Sequence, residues 1–453
     1  MNNKKPKNAD SDPNLLPVLG RTRIPLLKPP VRIVHLGLGA FHRSHQAWYT
    51  QHAGDSADWG IAAFTGRRPD AARVLEAQDS LFTLVERSSS EDTFEVVGSI
   101  VEAADGADIG RLAELVAAPS TSVITLTITE AAYAADSSTR RPAPTTPLSR
   151  LVTGLAARKD AGAGPLAVVS CDNVADNGNV ARHAVLALAR GLNTELADWI
   201  DVNVSFVSTS VDRITPRTTT EDIELVAEAC GYRDSAPVIT EPFHNWILCG
   251  DFPAGRPRWE DAGAVFVDDI GPYENRKLWL LNGAHSLLAY AGQLRGHSTV
   301  AQALEDAVCL GAVEAFWDEA AAHLHGDHLN IPEYRQALLE RFGNGRIAHH
   351  LSQIAMDGTT KLRMRALPVL NAERAAGRSG DGAARMIAAW IEYLSATAEF
   401  QDPLAADIRK ATNLNGEQRT AAFIGLLSPD LANDSEVRSQ IYRLQGLFSA
   451  NSN

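Results

Sequence analysis

The chain has 453 residues, of which 45% are hydrophobic and 21% charged, and its 33 glycines and 22 prolines are scattered. This composition is typical of an ordinary globular protein, and the length suggests two or three domains. With 42 Lys and Arg against 55 Asp and Glu, the net charge of −13 disfavours nucleic acid and anionic membrane surfaces as partners.

The N-terminal residues and the cysteines indicate a cytoplasmic protein. Residues 1–14 have a basic start with no apolar segment after it, so they do not look like a secretory signal. No run approaches the ~18 apolar residues of a membrane-spanning helix. The four cysteines are far apart and form no C-x-x-C pair, which argues against a disulfide framework or a zinc finger. We expect a monomer or a weak homo-oligomer.

The first part of the chain alternates apolar strands with helical patterns. Residues 1–30 are polar and contain prolines, and we expect them to form an arm on the protein surface. The alternation that follows predicts an α/β fold over residues 31–270, with a mostly parallel sheet covered on both faces. The Ser-, Thr-, Arg- and Pro-rich residues 136–148 predict a loop. The predicted strands are 31–36, 60–64, 122–128, 165–171 and 202–211.

The pattern changes after Pro272, where helical periodicity dominates and strand-like runs nearly disappear. We therefore place a domain boundary between Asp269 and Tyr273, and predict a mainly helical domain over residues 271–453. The predicted helices are 274–295, 299–322, 331–342, 347–356, 382–396 and 416–427.

The first strand ends at Gly37-Leu38-Gly39, and a helical segment starts directly after it. This arrangement lets a pyrophosphate bind the backbone N–H groups at the start of a helix. His42 stands where the usual fingerprint has its third glycine, so the spacing alone leaves an ordinary strand-to-helix turn as an alternative.

The residues after the second strand bear on the choice of coenzyme. Asp70 could hold the hydroxyls of the adenine ribose, as in NAD-binding proteins. Arg67 and Arg68 could instead hold the 2′-phosphate of NADP, or could be two solvated arginines in a turn. The sequence leaves both coenzymes open.

Three polar residues, Lys277, Asn282 and His285, interrupt an otherwise apolar helix. At about 100° per residue from Lys277, His285 falls near about 80° and Asn282 near about 140°, so the three share one side. Burial and the positive end of the helix dipole would both lower the pKa of such a lysine, as a general base requires. The alternative is a helix whose polar residues satisfy buried backbone groups.

Two histidine groups are candidates for metal ligands. His42 and His45 form H-x-x-H at a helix start, within the coenzyme-side segment, and His323, His325 and His328 lie in a predicted solvated loop. We expect no metal at either place.

A nucleotide- or sugar-binding regulator is the alternative outside the enzymes. It would need the glycine turn but would have no use for a reactive lysine.

Seven motifs, in order, resemble the mannitol dehydrogenase family of polyol-specific long-chain dehydrogenases. Residues 32–47 are similar to its N-terminal signature, and residues 277–286 to its catalytic signature K-x4-N-G-x-H. The resemblance implies a Rossmann-type domain with extra strands, a mainly helical C-terminal domain, NAD as the usual coenzyme and no metal. The other five motifs are TITE at 127–130, SCDN at 170–173, VDRITP at 211–216, EPF at 241–243 and DGTTK at 357–361.

The resemblance also implies a role for each matching residue. Lys277 corresponds to the general acid/base, Asn173 and Asn282 to the pair that binds the reacting oxygen, and His285 to a residue that orients the substrate. Glu130 looks like the glutamate that assists proton passage between the lysine and solvent. Further residues match positions near the polyol or its acid group, namely Asp212, Arg213 and Lys361. The residues of the coenzyme side are Gly37, Gly39, Ala40, Phe41, Arg43 and Asp70.

The implied activity is hydride transfer between NAD(P) and a secondary alcohol of a sugar polyol, of the D-mannitol to D-fructose type. Reduction of a hexuronate such as D-fructuronate or D-tagaturonate, and oxidation of mannitol 1-phosphate, are the alternatives. A hexuronate carboxylate requires a cation in the pocket. The candidates are Arg213, Lys361, Arg363 and Arg365, of which the last two could instead be solvated. Ala131-Ala132, ahead of Tyr133, departs from the family's pattern and reshapes the expected pocket rim.

Overall fold

The computed structural model describes residues 16–136, 146–347 and 349–449. Half of the expected arm and most of the predicted loop 136–148 therefore lie outside the described residues. The chain divides into two compact units, Met1–Ile270 and Gly271–Asn453, called unit 1 and unit 2 below. Among the helices described, none has the length and apolar character needed to cross a membrane.

Unit 1 is built on a large sheet, which confirms the predicted α/β class. In the described residues eight strands form this sheet, namely β1 Val31–Leu36, β2 Gly60–Phe64, β5 Ile100–Ala104, β6 Val123–Leu126, β7 Leu166–Ser170, β8 Val204–Asp212, β10 Asn245–Cys249 and β11 Val265–Phe266. Their order in the sheet is β11-β10-β8-β7-β6-β1-β2-β5. The strands β5, β2, β1, β6, β7 and β8 are mutually parallel, and β10 runs antiparallel to β8. Numbered by chain order, the parallel strands follow the 3-2-1-4-5-6 arrangement of dinucleotide-binding domains.

A second, three-stranded sheet lies in the order β4-β3-β9, with β3 antiparallel to β4 and parallel to β9. Its strands are β3 Phe82–Arg87, β4 Asp92–Val97 and β9 Val238–Thr240. The described part of the expected arm reaches this region, where Leu19 N donates to Arg233 O at 2.9 Å. The sequence analysis did not predict this sheet.

The core of unit 1 lies on both faces of the large sheet. Along β1 and β2 the side chains alternate, with Val34 and Phe64 in one buried cluster and Ile33 and Ile61 in the other. Because both faces are covered, these strands are apolar throughout, which made them visible in the sequence. The helical segments of unit 1 are Ala40–His42, Arg43–Ala47 (a π-helix), Trp48–His52, Ser56–Asp58, Asp70–Glu76, Ile109–Ala117, Glu130–Asp136, Pro147–Ala161, Asn177–Leu192, Thr194–Asn203, Thr220–Cys230 and Trp259–Ala262.

The described part of unit 2 consists of helices and their connections, as predicted, with an isolated β-bridge between Thr299 and His350. The single helix expected over 299–322 is wrong: the chain breaks at Asp306, which has extended backbone and whose carboxylate accepts from Val308 N at 2.9 Å. An Asp in this position caps a new helix. The helical segments of unit 2 are Gly271–Arg276, Lys277–Gly283 (a π-helix), Ala284–Leu294, Val300–Glu305, Ala307–Ala321, Asp327–Leu329, Ile331–Phe342, Leu351–Ile354, Gly358–Arg365, Leu367–Ala375, Asp381–Ala396, Ala405–Thr412, Gly416–Leu427, Pro429–Asn433 and Ser435–Leu444.

Candidate active site

The glycine turn joins the carboxyl ends of three strands of unit 1. Gly37 has φ +114°, and a Cβ there would lie 2.1 Å from the carbonyl oxygen of Thr127, so no other residue fits. The N–H groups of Gly37 and Leu38 both donate to Phe64 O at 2.9 Å. The turn is thus fixed between the ends of β1, β2 and β6.

A cavity of about 870 Å³ opens at this place. The strand order reverses between β1 and β6, and open parallel sheets bind ligands in the crevice at such a reversal. The volume lies within the usual range for cofactor pockets. The residues that line it are Leu36, Gly37, Leu38, Thr65, Gly66, Arg67, Ala107, Thr127, Ile128, Thr129, Ala131, Ala132, Thr146, Pro147 and Arg150.

The other residues expected on the coenzyme side have varied surroundings. A helical run starts at Ala40, directly after Gly39, and Phe41 stacks on His45 with ring centroids 5.0 Å apart. Arg43 bonds to protein carbonyls, from Nε to Gly39 O at 3.2 Å and from Nη1 to Ala236 O at 2.5 Å. It therefore ties the turn to the residues before β9.

Asp70 is exposed, and its carboxylate lies 3.8 Å from Arg68 Nε. It begins the helix Asp70–Glu76, and it is not among the described residues that line the cavity. Arg67, three residues earlier, does line it.

The buried carboxylate of Asp172 links the chain segments that carry Glu130 and Asn173, the two residues of unit 1 expected to take part in the chemistry. Asp172 accepts from Thr129 N and from the Tyr133 hydroxyl, each at 2.7 Å. Burial raises the pKa of the Asp172 carboxyl, and these two donors oppose that shift. Thr129 precedes Glu130 and Asp172 precedes Asn173, so this contact fixes the chain positions of both residues. The sequence analysis missed the contact, although Tyr133 was visible beside the two alanines.

Asp212 and Arg213, at the end of β8, are both buried. The guanidinium of Arg213 donates to Glu241 O at 3.1 Å and to Ser44 O at 2.6 Å, and also bonds to the Glu86 carboxylate. Its side chain has no exposed surface. Each nitrogen of this guanidinium thus already has a protein acceptor, which is the environment of a structural arginine.

In unit 2 the lysine segment is a π-helix rather than the α-helix assumed from the sequence. Lys277–Gly283 has this geometry, in which hydrogen bonds join residues five apart. The wider turn brings Asn282 closer in angle to Lys277 than the about 140° of an α-helix. Two contacts fix the segment: Trp317 Nε1 donates to Leu280 O at 2.7 Å, and a Cβ at Gly283 would meet the Phe316 ring at 2.5 Å. Single π turns occur frequently at functional sites.

His285 follows in the helix Ala284–Leu294 and is buried between Phe342 and His349, with ring centroids 4.6 and 4.7 Å away. Its Nε2 has no hydrogen-bond partner among the described residues. Burial holds the pKa of His285 well below its usual value, and the neighbouring basic side chains act in the same direction. The imidazole is therefore neutral at physiological pH. Those neighbours are His349, Arg341, Arg365 and Lys361.

Arg365 and Lys361 lie one turn apart on the helix Gly358–Arg365. Arg365 Nη1 donates to Asn282 O at 3.1 Å and to Ser286 Oγ at 2.9 Å, while its buried Nε has no partner in the described ranges. Lys361 Nζ donates to Ile354 O at 3.0 Å. Burial lowers the pKa of Lys361, and it lowers the pKa of Arg365 to about 10. Asn282, His285, Lys361 and Arg365 thus form one basic cluster in unit 2.

Neither histidine group has the geometry of a metal site. His42 stacks on His35 with ring centroids 3.3 Å apart, and His45 bonds through Nε2 to Asn245 O at 3.0 Å. His323 bonds to the Glu373 carboxylate at 2.7 Å. In the part of the chain that the structure describes, no three His, Cys, Asp or Glu side chains are grouped to hold a metal ion.

Comparisons with known proteins match both units. The model of the mannitol dehydrogenase Rossmann domain matches residues 31–261, and that of the mannitol dehydrogenase C-terminal domain matches residues 269–444. The D-mannonate oxidoreductase of Escherichia coli is 36% identical over 431 residues, which cover 87% of this chain and 88% of that protein.

Two solved structures are also similar to this chain. The mannitol 2-dehydrogenase of Pseudomonas fluorescens, in a ternary complex with NAD and D-mannitol, is 34% identical with a TM-score of 0.77, covering 94% of this chain and 93% of that one. A D-sorbitol dehydrogenase in substrate-free form is 29% identical with a TM-score of 0.87, covering 96% and 99%.

Proposed function

Because the chain belongs to the mannitol dehydrogenase family, we propose that it transfers a hydride between a nicotinamide dinucleotide and a secondary alcohol of a linear sugar polyol, of the D-mannitol to D-fructose type. The family expected from the motifs is thereby confirmed, whereas the substrate and the catalytic roles are proposals. The observation that carries them is the π-helix Lys277–Gly283, which presents Lys277 and Asn282 within one turn, next to a neutral His285.

The residues of unit 1 fit a dinucleotide. The cavity at the ends of β1, β2 and β6 starts at Gly37, where a Cβ would fill the turn, and backbone N–H groups at a helix start bind pyrophosphate well. Such a coenzyme, when bound, accepts the hydride from the alcohol carbon or returns it to the ketone. The protein residues have the tasks of orienting the sugar and moving its proton.

In this proposal the amine of Lys277 takes the proton of the reacting hydroxyl group as the hydride leaves the same carbon. The C–H and O–H bonds break, the C=O bond forms, and Lys277 Nζ carries the proton. Reduction uses the same groups with Lys277 protonated at the start. To act as a base near neutral pH, the Lys277 amine must be able to lose its proton, and the Lys277 side chain is only partly exposed.

The remaining roles follow the motif matches. Asn173 and Asn282 donate to the reacting oxygen and stabilise its alkoxide character without a net charge of their own. His285 orients the substrate, because a neutral imidazole offers one donor and one acceptor. Glu130 is exposed at the start of its helix and passes the proton between Lys277 and solvent. Asp212 and Lys361 contact the more distant hydroxyl groups.

The proposal is tested with the purified chain, NAD(H) or NADP(H), and a panel of polyols, ketohexoses and hexuronates, by following the absorbance of the reduced nicotinamide. We expect turnover of at least one linear sugar pair. Lys277→Ala should lose about three orders of magnitude in kcat while coenzyme binding is retained. Lys410→Ala is the matched control, since Lys410 is an exposed lysine of unit 2 paired with Asp407. A Lys277→Ala variant with normal kcat would contradict the base assignment.

A second candidate is reduction of a hexuronate to an aldonate, of the D-fructuronate to D-mannonate type. The observation that favours it is the basic cluster of unit 2, where Arg365 Nε and His285 Nε2 have no partner among the described residues. The guanidinium of Arg365, with this unused N–H donor, suits a carboxylate, which accepts charge-assisted hydrogen bonds, and the neutral His285 lies beside it. Comparison of kcat/KM for D-fructose and D-fructuronate separates the two candidates, since the polyol assignment requires fructose to be the better substrate.

A further inference from the structure

The residues after β2 form a subsite of the cavity in unit 1, and we infer that this subsite holds the 2′-phosphate of NADP(H) through Arg67. The inference rests on the proposed function, which requires a nicotinamide dinucleotide without choosing between NAD and NADP. In dinucleotide-binding domains, an acidic side chain after the second strand holds the 2′-hydroxyl of NAD, whereas an arginine nearby accommodates the 2′-phosphate of NADP.

The chain that follows β2 is held in a fixed position. Thr65 N donates to Ala104 O at 3.0 Å, and Thr65 Oγ1 accepts from Gly106 N at 2.9 Å. A Cβ at Gly106 would lie 2.0 Å from Thr65 O, so the two strand ends approach as closely as a glycine permits. These bonds fix the residue immediately before the Gly66-Arg67 turn.

Arg150 reaches the same turn from the helix Pro147–Ala161. Its Nη1 donates to Gly66 O at 2.8 Å and to Thr65 O at 3.3 Å. Arg150 is 6% exposed and lines the cavity, and its buried Nε has no partner in the described residues. The turn therefore has a buried cation beneath it and the exposed Arg67 at its rim.

The charge of the subsite follows from the residues that line the cavity. Arg67 and Arg150 are cations, and no Asp or Glu is present among the lining residues that the structure describes. Asp105, whose charge acts on Arg150, accepts from Ala107 N at 2.9 Å in a local turn. This positive charge stabilises the 2′-phosphate of NADP. For NAD, the subsite lacks the carboxylate that usually binds the 2′,3′-hydroxyls of the ribose.

Asp70, the carboxylate expected from the sequence to bind the ribose, does not alter this charge. It lies at the first position of the helix Asp70–Glu76, where a carboxylate is stabilised by the helix dipole. Asp70 forms an ion pair with Arg68, with 3.8 Å between carboxylate oxygen and Nε, and the side chains of Asp70 and Arg68 are 69% and 87% exposed. Of the two adjacent arginines, Arg68 is thus paired outside the lining, whereas Arg67 lines the cavity.

The test measures binding by the full-length chain, independently of turnover. Isothermal titration gives Kd for NADP⁺ and NAD⁺, and for the fragments adenosine 2′,5′-bisphosphate and 5′-AMP, which differ only by the 2′-phosphate. We expect the 2′-phosphorylated member of each pair to bind about tenfold more tightly or better. In Arg67→Ala this preference should fall to about twofold or less, with Kd for NAD⁺ nearly unchanged. Arg67→Lys should retain part of it, because a lysine keeps the charge but loses the bidentate geometry.

Arg73→Ala is the matched control, since Arg73 is an exposed arginine on the following helix and its loss removes the same charge from unit 1. It should leave the preference for NADP⁺ intact. Equal binding of NAD⁺ and NADP⁺ by the unchanged protein overturns the inference. It is also overturned if Arg73→Ala, or Arg68→Ala, lowers the preference as much as Arg67→Ala does.

The outcomes distinguish this inference from the proposed function. Turnover of a sugar with NADH but not with NADPH leaves the proposed function standing and overturns the inference. Tight binding of NADP⁺ without turnover of any sugar in the panel does the reverse.

Discussion

Two inward-facing arginines, one in each unit, differ in what surrounds them. Arg213 in unit 1 is fully covered, and its guanidinium bonds to two backbone carbonyls and the Glu86 carboxylate. Arg365 in unit 2 is half-buried and donates to Asn282 O and Ser286 Oγ, while its Nε has no partner among the described residues. Both matched the sequence criterion of a cation suited to a carboxylate. The contrast indicates that a cation is available to a ligand only where the protein has not already supplied its acceptors.

The largest expected effect comes from Arg213→Met, which removes the arginine whose guanidinium nitrogens all have protein acceptors. Loss of the guanidinium leaves the Glu86 carboxylate and two buried carbonyls without their donor, and should lower the free energy of unfolding by about 3 kcal/mol. A urea titration followed by tryptophan fluorescence measures the change. Arg217→Met, at an exposed arginine four residues later, should stay within about 0.5 kcal/mol of the unchanged protein. A stable Arg213→Met protein would remove the distinction between the two arginines.

Arg365→Met should affect binding more than stability. A charge-assisted bond to a substrate carboxylate is worth about 1.5–3 kcal/mol, so kcat/KM for a hexuronate should fall about tenfold to a hundredfold. The loss for a neutral ketose should be clearly smaller, and steady-state kinetics with both substrates measure the difference. Arg363→Met serves as the control on the same helix, because Arg363 is exposed and bonds to Leu426 O. Equal losses for both substrates would show that Arg365 only positions Asn282.

The third prediction concerns an imidazole whose surroundings exclude a ligand, and near neutral pH its effect is the smallest. His42 is fully buried in unit 1, and neither of its ring nitrogens has a hydrogen-bond partner in the described ranges. Burial, with the neighbouring His35, holds the pKa of His42 well below its usual value. Because the unfolded chain binds the proton below about pH 6.5 and the folded chain does not, stability falls as the pH drops below that value, by up to about 1.4 kcal/mol per pH unit for this residue.

His42→Leu removes this titrating group and should flatten the pH dependence of the unfolding free energy between about pH 6.5 and 4.5. Thermal or urea unfolding at several pH values measures the slope. Several other buried histidines contribute in the same direction, so the slope should decrease without vanishing; they include His35, His45, His244 and His285. An unchanged slope would show that His42 is protonated in the folded protein.

The sequence predicted five strands of the large sheet that are mostly buried, and missed others, among them a strand that is ordered by a distant partner. Residues 60–64 are apolar at every position because helices and loops cover both sides of β2. The strand Asp92–Val97 is only partly buried, and it is ordered by pairing with β3. Strand propensity and hydrophobic periodicity carry no information about that pairing, so the sequence analysis did not predict the second sheet.

The candidate site also depends on contacts between distant segments, which local sequence does not predict. The motif matches point to Lys277 and Asn282, but the π geometry between them was not predicted, and the segment is contacted by Trp317, which donates to Leu280 O from a different helix. Likewise, Asp172 and Tyr133 are 39 residues apart in the chain, and their contact follows only from the pairing of β6 with β7. Local sequence therefore provides candidates for the residues that carry the chemistry, whereas the orientation of these residues is determined by contacts between distant segments.

The bond between Trp317 and Leu280 has a spectroscopic consequence. Since the indole N–H donates directly into the lysine-bearing turn, its NMR resonance reports the geometry of that turn without any added label. A sugar that changes the spacing of Lys277 and Asn282 should shift this one signal, whereas a sugar that binds elsewhere should not. The protein thus contains its own probe for the moment at which the proposed base and its substrate engage.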